Sequence, residues 1–452
     1  METVKHANRR FLQTVLGTLA STLLVVSCTT TTPTQDTGAY PAPGSAPAAS
    51  AGTPSSAQPA AAPPPSTSAA APPAQTPAPP PLPPVMPFDD AVLFAANNLF
   101  AKAELPAAPG AREGMPRYPV VIDPLVDGNS GFQSVATQTM ETRITDLVKT
   151  KYPQYQLEPF TSTALARGPL LFIGTFTPVD KDGKNAGPRD WYRVCLALVD
   201  LRSGKIVSKG FARAQMEGVD VTPTTFFLDS PAWAPDPAVQ GYVRTCQGTK
   251  VGDAINPVYW DRIVAAAMIN DASQAYTNGR YQDALDVYKG VLRLPGGDQL
   301  RVYNGIYLAS TKLGRREEAE QAFAKIVDFG LAQNQLAVKF LFRPGSTLFV
   351  VDPQVSGPYH MWLKQISTRA AMRTACMEVS GHTSRTGPEP LNERLSLMRA
   401  AYVKQRLEAD NRDLAKRTTA IGKGSREPIS GLGTDDARDA LDRRVEFRVK
   451  DC

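Results

Sequence analysis

Seventeen prolines fall between Pro33 and Val85, and they decide where this 452-residue chain can fold. From Thr29 to Phe88 the only charged side chain is Asp36, and Pro, Ala, Ser and Thr dominate. Proline fixes φ and removes a backbone donor. A run this poor in large apolar side chains cannot bury a core. Residues 29–85 therefore read as a disordered Pro/Ala-rich linker. In a polyproline II conformation its prolyl part would span at most about 160 Å, at roughly 3.1 Å per residue. Packed structure is confined to the chain that follows.

Residues 1–28 read as an address. Lys5, Arg9 and Arg10 form a positive start, and Phe11 to Val26 an apolar run. Gln13 and Thr14 interrupt that run, and it is too short for a membrane span. It ends Val25-Val26-Ser27-Cys28, which resembles the lipobox of bacterial lipoproteins. The resemblance implies a signal peptide, acylation of Cys28 and a lipid partner. Thr29 in second place, rather than aspartate, implies the outer membrane.

Composition excludes several classes. The net charge is +6, with no basic stripe interleaved with aromatics, so nucleic acid is not an expected partner. The three histidines, His6, His360 and His382, are far apart, and no Cys-x-x-Cys pair occurs. No zinc site is expected. No Gly-x-Ser-x-Gly elbow supports a nucleophile. The expectation is a non-enzyme with no cofactor and no metal.

Residues 86–257 read as an α/β domain. Asp89 is placed to cap a helix carrying Val92, Leu93, Ala96, Leu99 and Phe100. Val120 to Asp123 predicts a strand, Val135 to Tyr152 an amphipathic helix. Leu170 to Phe176 and Trp191 to Val199 predict buried strands, with a turn at Asp200–Lys205 into Ile206–Phe211. This part faintly resembles the LpoB and CsgG-type lipoproteins, through Ile122-Asp123-Pro124, Phe172 to Thr175 and the Asp200–Val207 hairpin. Asp123, Asp127 and Asp200 read as turn aspartates rather than catalytic acids. Residues 213–257, with five prolines among Phe226, Phe227, Trp233 and Tyr242, read as a loop packed on this domain.

Residues 258–335 carry a repeat. Gly279-Arg280-Tyr281, Ala284 and Tyr288 match Gly314-Arg315-Arg316, Ala319 and Phe323 at a period of 35. That is similar to the tetratricopeptide (TPR) repeat of about 34 residues. The resemblance implies helical hairpins and a protein partner in their groove.

Residues 336–452 contain the chemistry. Cys376 to Ser380 alternate as a strand would, and residues 381–390 form a polar loop. Pro388 and Pro390 are expected to delay the next helix. From Asn392, Leu395, Met398, Tyr402, Val403 and Leu407 recur at helical spacing. A helix start offers unpaired N–H groups, and Arg399 adds a fork suited to a carboxylate. Gly381-His382-Thr383, Gly387, Asn392, Leu395-Ser396, Arg399-Ala400, Gly422-x-Gly424 and Arg443-Arg444-Val445-Glu446 together resemble the OmpA-like peptidoglycan-binding domain. That family grips the diaminopimelate of peptidoglycan peptides with an aspartate and an arginine. Arg399 falls at the arginine. Ser384 falls at the aspartate, and a serine cannot pair with an ammonium. Thr383, Ser384, Asn392, Leu395, Arg399 and Arg443 are the expected site.

With Cys28 lipidated, four cysteines remain and allow three pairings. Pairing within domains selects Cys195–Cys246 and Cys376–Cys452. The fold class expected is multidomain α/β plus α: an N-terminal α/β domain, TPR-like helical hairpins, and a C-terminal OmpA-like α/β sandwich. The function expected is a periplasm-facing outer-membrane lipoprotein that tethers the membrane to peptidoglycan and scaffolds partners. The alternative is an activator of a cell-wall synthase that acts through the α/β domain.

Overall fold

The structure is a computed structural model. It describes residues 83–105, 117–185, 189–373, 375–429, 431, 433–434, 439 and 441–452. The leader, Cys28 and almost all of the linker lie outside the described residues.

The first sheet has seven strands. They are β1 (Val85–Met86), β2 (Tyr118–Ile122), β3 (Val126–Asp127), β4 (Tyr155–Glu158), β5 (Leu170–Val179), β6 (Trp191–Asp200) and β7 (Lys205–Ala214). Their order is β1-β7-β6-β5-β2-β4, with β3 also on β5. β5, β6 and β7 form an antiparallel meander, while β2, β3 and β4 add parallel to it. All ten residues of β5 are buried, because helices cover both faces. α1 (Phe88–Ala101) and α2 (Val135–Lys151) cover one face, burying Ala91, Leu99, Met140 and Ile144.

The caps of the first two helices were not read from the periodicity. α1 begins at Phe88 after Pro87, with no side-chain cap. Asp89 lies inside the first turn, where a negative charge suits the helix dipole, and pairs with Arg143 at 2.8 Å. α2 begins on a capping box that the periodicity did not disclose. Ser134 Oγ accepts from Thr137 N at 3.3 Å, and Thr137 Oγ1 accepts from Ser134 N at 2.9 Å.

A short α3 (Ser162–Leu165) precedes β5. The segment 213–257 is not a loop on the first sheet alone. It forms α4 (Thr225–Asp229), the strand β8 (Ala232–Trp233) and α5 (Pro237–Gln247), and α6 (Pro257–Trp260) follows. Asp236 caps α5, with Pro237 in the first turn where proline is tolerated. Tyr242 and Cys246 of α5 pack on the second face of the first sheet. β8 instead joins the other sheet.

Two helix pairs follow: α7 (Ile263–Thr277) with α8 (Tyr281–Val291), then α9 (Leu300–Lys312) with α10 (Arg316–Ala332). Each pair turns at a glycine in the left-handed region, Gly279 at φ 75° and Gly314 at φ 71°. The 35-residue spacing thus marks the same turn twice.

The second sheet is built from β9 (Leu336–Val338), β10 (Cys376–Gly381), β11 (Thr418–Gly422) and β12 (Val445–Lys450), in the order β11-β10-β12-β9-β8. A short α11 (Pro353–Ser356) and α12 (Tyr359–Ala371) follow β9, and α13 (Glu389–Asp410) links β10 to β11. One apolar core runs from Phe226 and Tyr288 through Phe323 and Trp362 to Val403 and Phe447. The helix pairs and the second sheet therefore share their interior.

Cys195 of β6 is bonded to Cys246 of α5, and Cys376 of β10 to Cys452, with Cα–Cα distances of 6.1 and 4.9 Å. All four should resist a thiol-alkylating reagent in the unfolded, unreduced protein. Labelling of any one of them would refute the corresponding disulfide.

Candidate functional site

β10 delivers the chain to the site and α13 carries it away. Gly381 ends β10 against the helix; a Cβ there would lie 2.1 Å from the Ser396 carbonyl oxygen. Only glycine lets strand and helix approach so closely. α13 begins at Glu389, earlier than the expected Asn392, because Pro390 occupies the first turn, where its missing N–H costs nothing.

The buried stripe of α13 is Asn392, Ser396, Arg399, Ala400, Val403 and Leu407. Its spacing is helical, but its first half is polar. Leu397 and Met398 are exposed instead, and Leu395 is half-buried. The expected apolar face therefore holds only from Val403 onward.

Three expected residues gather at the loop. Asn392 Nδ2 donates to the carbonyls of Thr386 and Gly387 at 3.1 and 3.3 Å. Ser384 Oγ and Thr386 Oγ1 are 2.9 Å apart. Thr383 N donates to Gly424 O at 2.9 Å, while its Oγ1 is buried with no partner among the described residues. Leu395 offers no polar group.

Arg399 lies two turns along, 8% exposed. Its Nε donates to Ser346 O at 3.2 Å, and its guanidinium carbon lies 4.8 Å from the Phe342 ring centroid. Burial, reinforced by the charge of Arg443, brings its pKa down to about 10, so it stays cationic at neutral pH. Burial thus leaves the Arg399 cation partly desolvated, which favours an anion beside it. The turn at residues 342–349 was missed by the sequence reading. Its signal was Arg343-Pro344-Gly345-Ser346 between two aromatics, and Phe342 indeed bridges to Phe349.

Glu389 secures the helix start. It accepts from Ser425 N at 3.2 Å and from the Ser425 hydroxyl. Arg426 bridges Glu389 and Glu393 at 3.4 and 3.2 Å. On the other side, Arg189 of the β5–β6 connection donates to Pro428 O at 3.1 Å, so the first sheet braces this loop.

The fold also gathers groups that the sequence holds apart. Ligand atoms of His382, Glu427 and Glu446 lie within 4.8 Å of one another. Arg444 already holds Glu446, through Nε at 2.8 Å. Despite its burial, Glu446 is held well below the usual carboxylate range by His382 and Arg444. A fixed cation in that place opposes a metal ion. Burial pushes the His382 pKa down, so it is neutral at pH 7.

The aspartates of the first sheet occupy structural positions. Asp127 accepts from Ser130 N at 2.6 Å and Asn129 N at 3.0 Å, and Asp200 from Arg202 N at 3.1 Å. Asp123, 5% exposed, accepts from the Tyr259 hydroxyl at 2.5 Å. Burial raises its pKa from 3.8 to about 6. Its raised value means that the folded state keeps a proton that the unfolded chain releases. The associated stability is full below pH 3.8 and is lost as pH rises through 6. Denaturant melts at pH 7 and pH 5 should show Asp123→Asn gaining less on acidification than wild type. Equal gains would refute the assignment.

No known family profile matches the chain. Over 117 residues it is 42% identical to outer membrane porin F of Pseudomonas fluorescens, covering 26% of this chain and 33% of that protein. Over 71 residues it is 42% identical to outer membrane protein Omp38 of Acinetobacter baumannii, covering 16% and 20%. The chain thus spans a third or less of the length of these relatives. Among solved structures, the cell wall anchor of the T6SS from Pseudomonas aeruginosa is 27% identical, covers 26% of this chain and 81% of that one, and has a TM-score of 0.22. Among the described residues no helix is long and apolar enough to cross a membrane.

Proposed function

We propose that this chain is a non-enzymatic lipoprotein of the cell envelope that ties the outer membrane to peptidoglycan. The observation that carries this reading is the polar half of the α13 stripe, where Arg399 is buried two turns along from the loop that gathers Thr383, Ser384 and Asn392. A ligand carboxylate, such as that of diaminopimelate, settles against Arg399, with Arg443 as the further cation of the expected site. Thr383, Ser384 and Asn392 orient the peptide around it. Ser384 stands where the OmpA-like pattern has an acid, so the ligand ammonium gains a hydrogen bond but no charge partner. The similarity to two outer-membrane proteins supports the envelope location. Cys28, acylated, supplies the membrane end, and the proline-rich linker supplies the reach.

The partner-scaffolding role rests on an open groove of about 940 Å³ between the second helix pair and α11–α12, lined by Tyr307, Arg316, Glu320 and Met361. The test of the tether is co-sedimentation of the soluble chain from Thr29 with purified sacculi. Pelleting with sacculi that free diaminopimelate suppresses is expected. No pelleting would overturn the tether. Stimulation of a cell-wall synthase that is equal in wild type and Arg399→Ala would favour the activator reading in its place.

A further inference from the structure

The groove between the helix pairs and α11–α12 extends beyond its widest part. The wide part, of about 940 Å³, passes Arg316, Glu320 and Met361. A cavity of about 440 Å³ continues it, because Tyr307, Thr311, Gln354 and Pro358 line both. This second part runs past Leu228, Asp229, Lys312, Lys339 and Val355.

Short distances tie the charges of the second part to one spot. Lys312 Nζ lies 3.7 Å from Asp229 Oδ2, and the two side chains are 45% and 31% exposed, so both meet solvent. The Tyr276 hydroxyl donates to the same oxygen at 2.7 Å. Lys339 Nζ donates to the carbonyl of the adjoining Leu228 at 2.7 Å, within reach of the Asp229 charge. Burial brings the Lys339 pKa down to about 8, so it is mostly protonated at pH 7. One carboxylate thus serves two ammonium groups and a hydroxyl.

Along the whole groove four cations, Lys312, Arg316, Lys339 and Arg443, stand against two acids, Asp229 and Glu320. Glu320 is engaged as well, since its Oε1 accepts from Gln365 Nε2 at 2.9 Å. A concave surface with surplus positive charge draws in acidic chain. Leu228, 36% exposed, and the half-buried Val355 and Met361 add apolar contact. These features select among occupants. A lone small anion would leave the two connected volumes largely unfilled. This chain's own linker has one acid, Asp36, between Thr29 and Phe88, so it lacks the matching charge.

We propose that this groove binds an extended acidic segment of a partner protein. Its Asp or Glu side chains lie against Lys312 and Lys339, and its apolar ones against Leu228, Val355 and Met361. The inference rests on the partner-scaffolding reading, to which it adds the partner's chemistry, and it is independent of the tether.

The test selects a displayed library of random dodecapeptides on the immobilised soluble chain from Thr29. Enriched peptides should carry Asp and Glu at about twice their input frequency or more. The tightest of them, resynthesised, should bind saturably and weaken about tenfold when its acids are replaced by amides. Lys312→Gln and Lys339→Gln should each weaken it about fivefold. Lys312 is half exposed, so Lys312→Gln should also melt as wild type does. Arg399→Ala should leave peptide binding unchanged, which separates the groove from α13. Enriched peptides without acids, or binding unchanged in both lysine variants, would overturn the acidic partner. Proline-rich winners of that kind would give the groove to the chain's own linker, and neutral ones would leave a partner groove of other chemistry. No enrichment at all would overturn the partner reading with it.

Discussion

Arg399→Ala is expected to weaken the pelleting of the soluble chain with sacculi by about ten- to a hundredfold. The lost group makes charge-assisted hydrogen bonds, worth roughly 1.5–3 kcal/mol each. The guanidinium also organises the turn beneath it, through Ser346 O and the Phe342 ring. Two further variants separate grip from scaffolding. Arg399→Lys keeps the charge but loses the planar fork, so it should bind weakly while melting close to wild type. Ser384→Asp restores a carboxylate to the loop, and should tighten binding by providing a partner for the ligand ammonium. Tightening should fade as salt rises, since a partly exposed ion pair is screened. Unchanged binding in Arg399→Ala, with a normal melt, would remove α13 from the ligand site altogether.

The elements were legible because their periods were clean. β5, β6 and α2 fell where the apolar spacing put them, and both within-domain cysteine pairs form. The failures have specific physical causes. Pro390 looked like a barrier to α13, but a proline in a first turn removes only a donor that has no partner anyway. Met398 looked like core because it is apolar, yet the position that faces inward is Arg399. Periodicity scores side chains by hydrophobicity, so a buried polar stripe shifts the inferred face by a residue. β8 is two residues long, and nothing local marks Ala232-Trp233 as an edge for strands that begin a hundred residues later. The same holds for the surroundings of Arg399. The motif singled it out, whereas its contacts with Phe342 and Ser346 are long-range and leave only a turn signature.

Trp362→Ala should cost about 3–5 kcal/mol, the range for truncating a large buried aromatic. The indole is 6% exposed and stacks on Phe323 of α10, with ring centroids 5.3 Å apart and planes 7° from parallel. Its Nε1 donates to the Tyr307 hydroxyl of α9 at 2.9 Å, and Tyr359 packs 5.0 Å away. Truncation therefore empties a space that two helices of the second pair and α12 fill together, and it strips a buried hydroxyl of its donor. Because those helices share one core with the second sheet, the whole region should lose stability as a unit. One cooperative transition, shifted to lower denaturant, is the expected melt, with Met372→Ala, 70% exposed, changing stability by less than about 0.5 kcal/mol. Two separated transitions in Trp362→Ala would instead mean that the helix pairs and the second sheet fold independently. Cooperativity bears on how the tether is tested. A fragment starting at Leu336 would lack β8 on its sheet edge and two of the four rings that pack on Trp362, Tyr307 and Phe323, so its failure to hold sacculi would report a damaged core rather than a poor site.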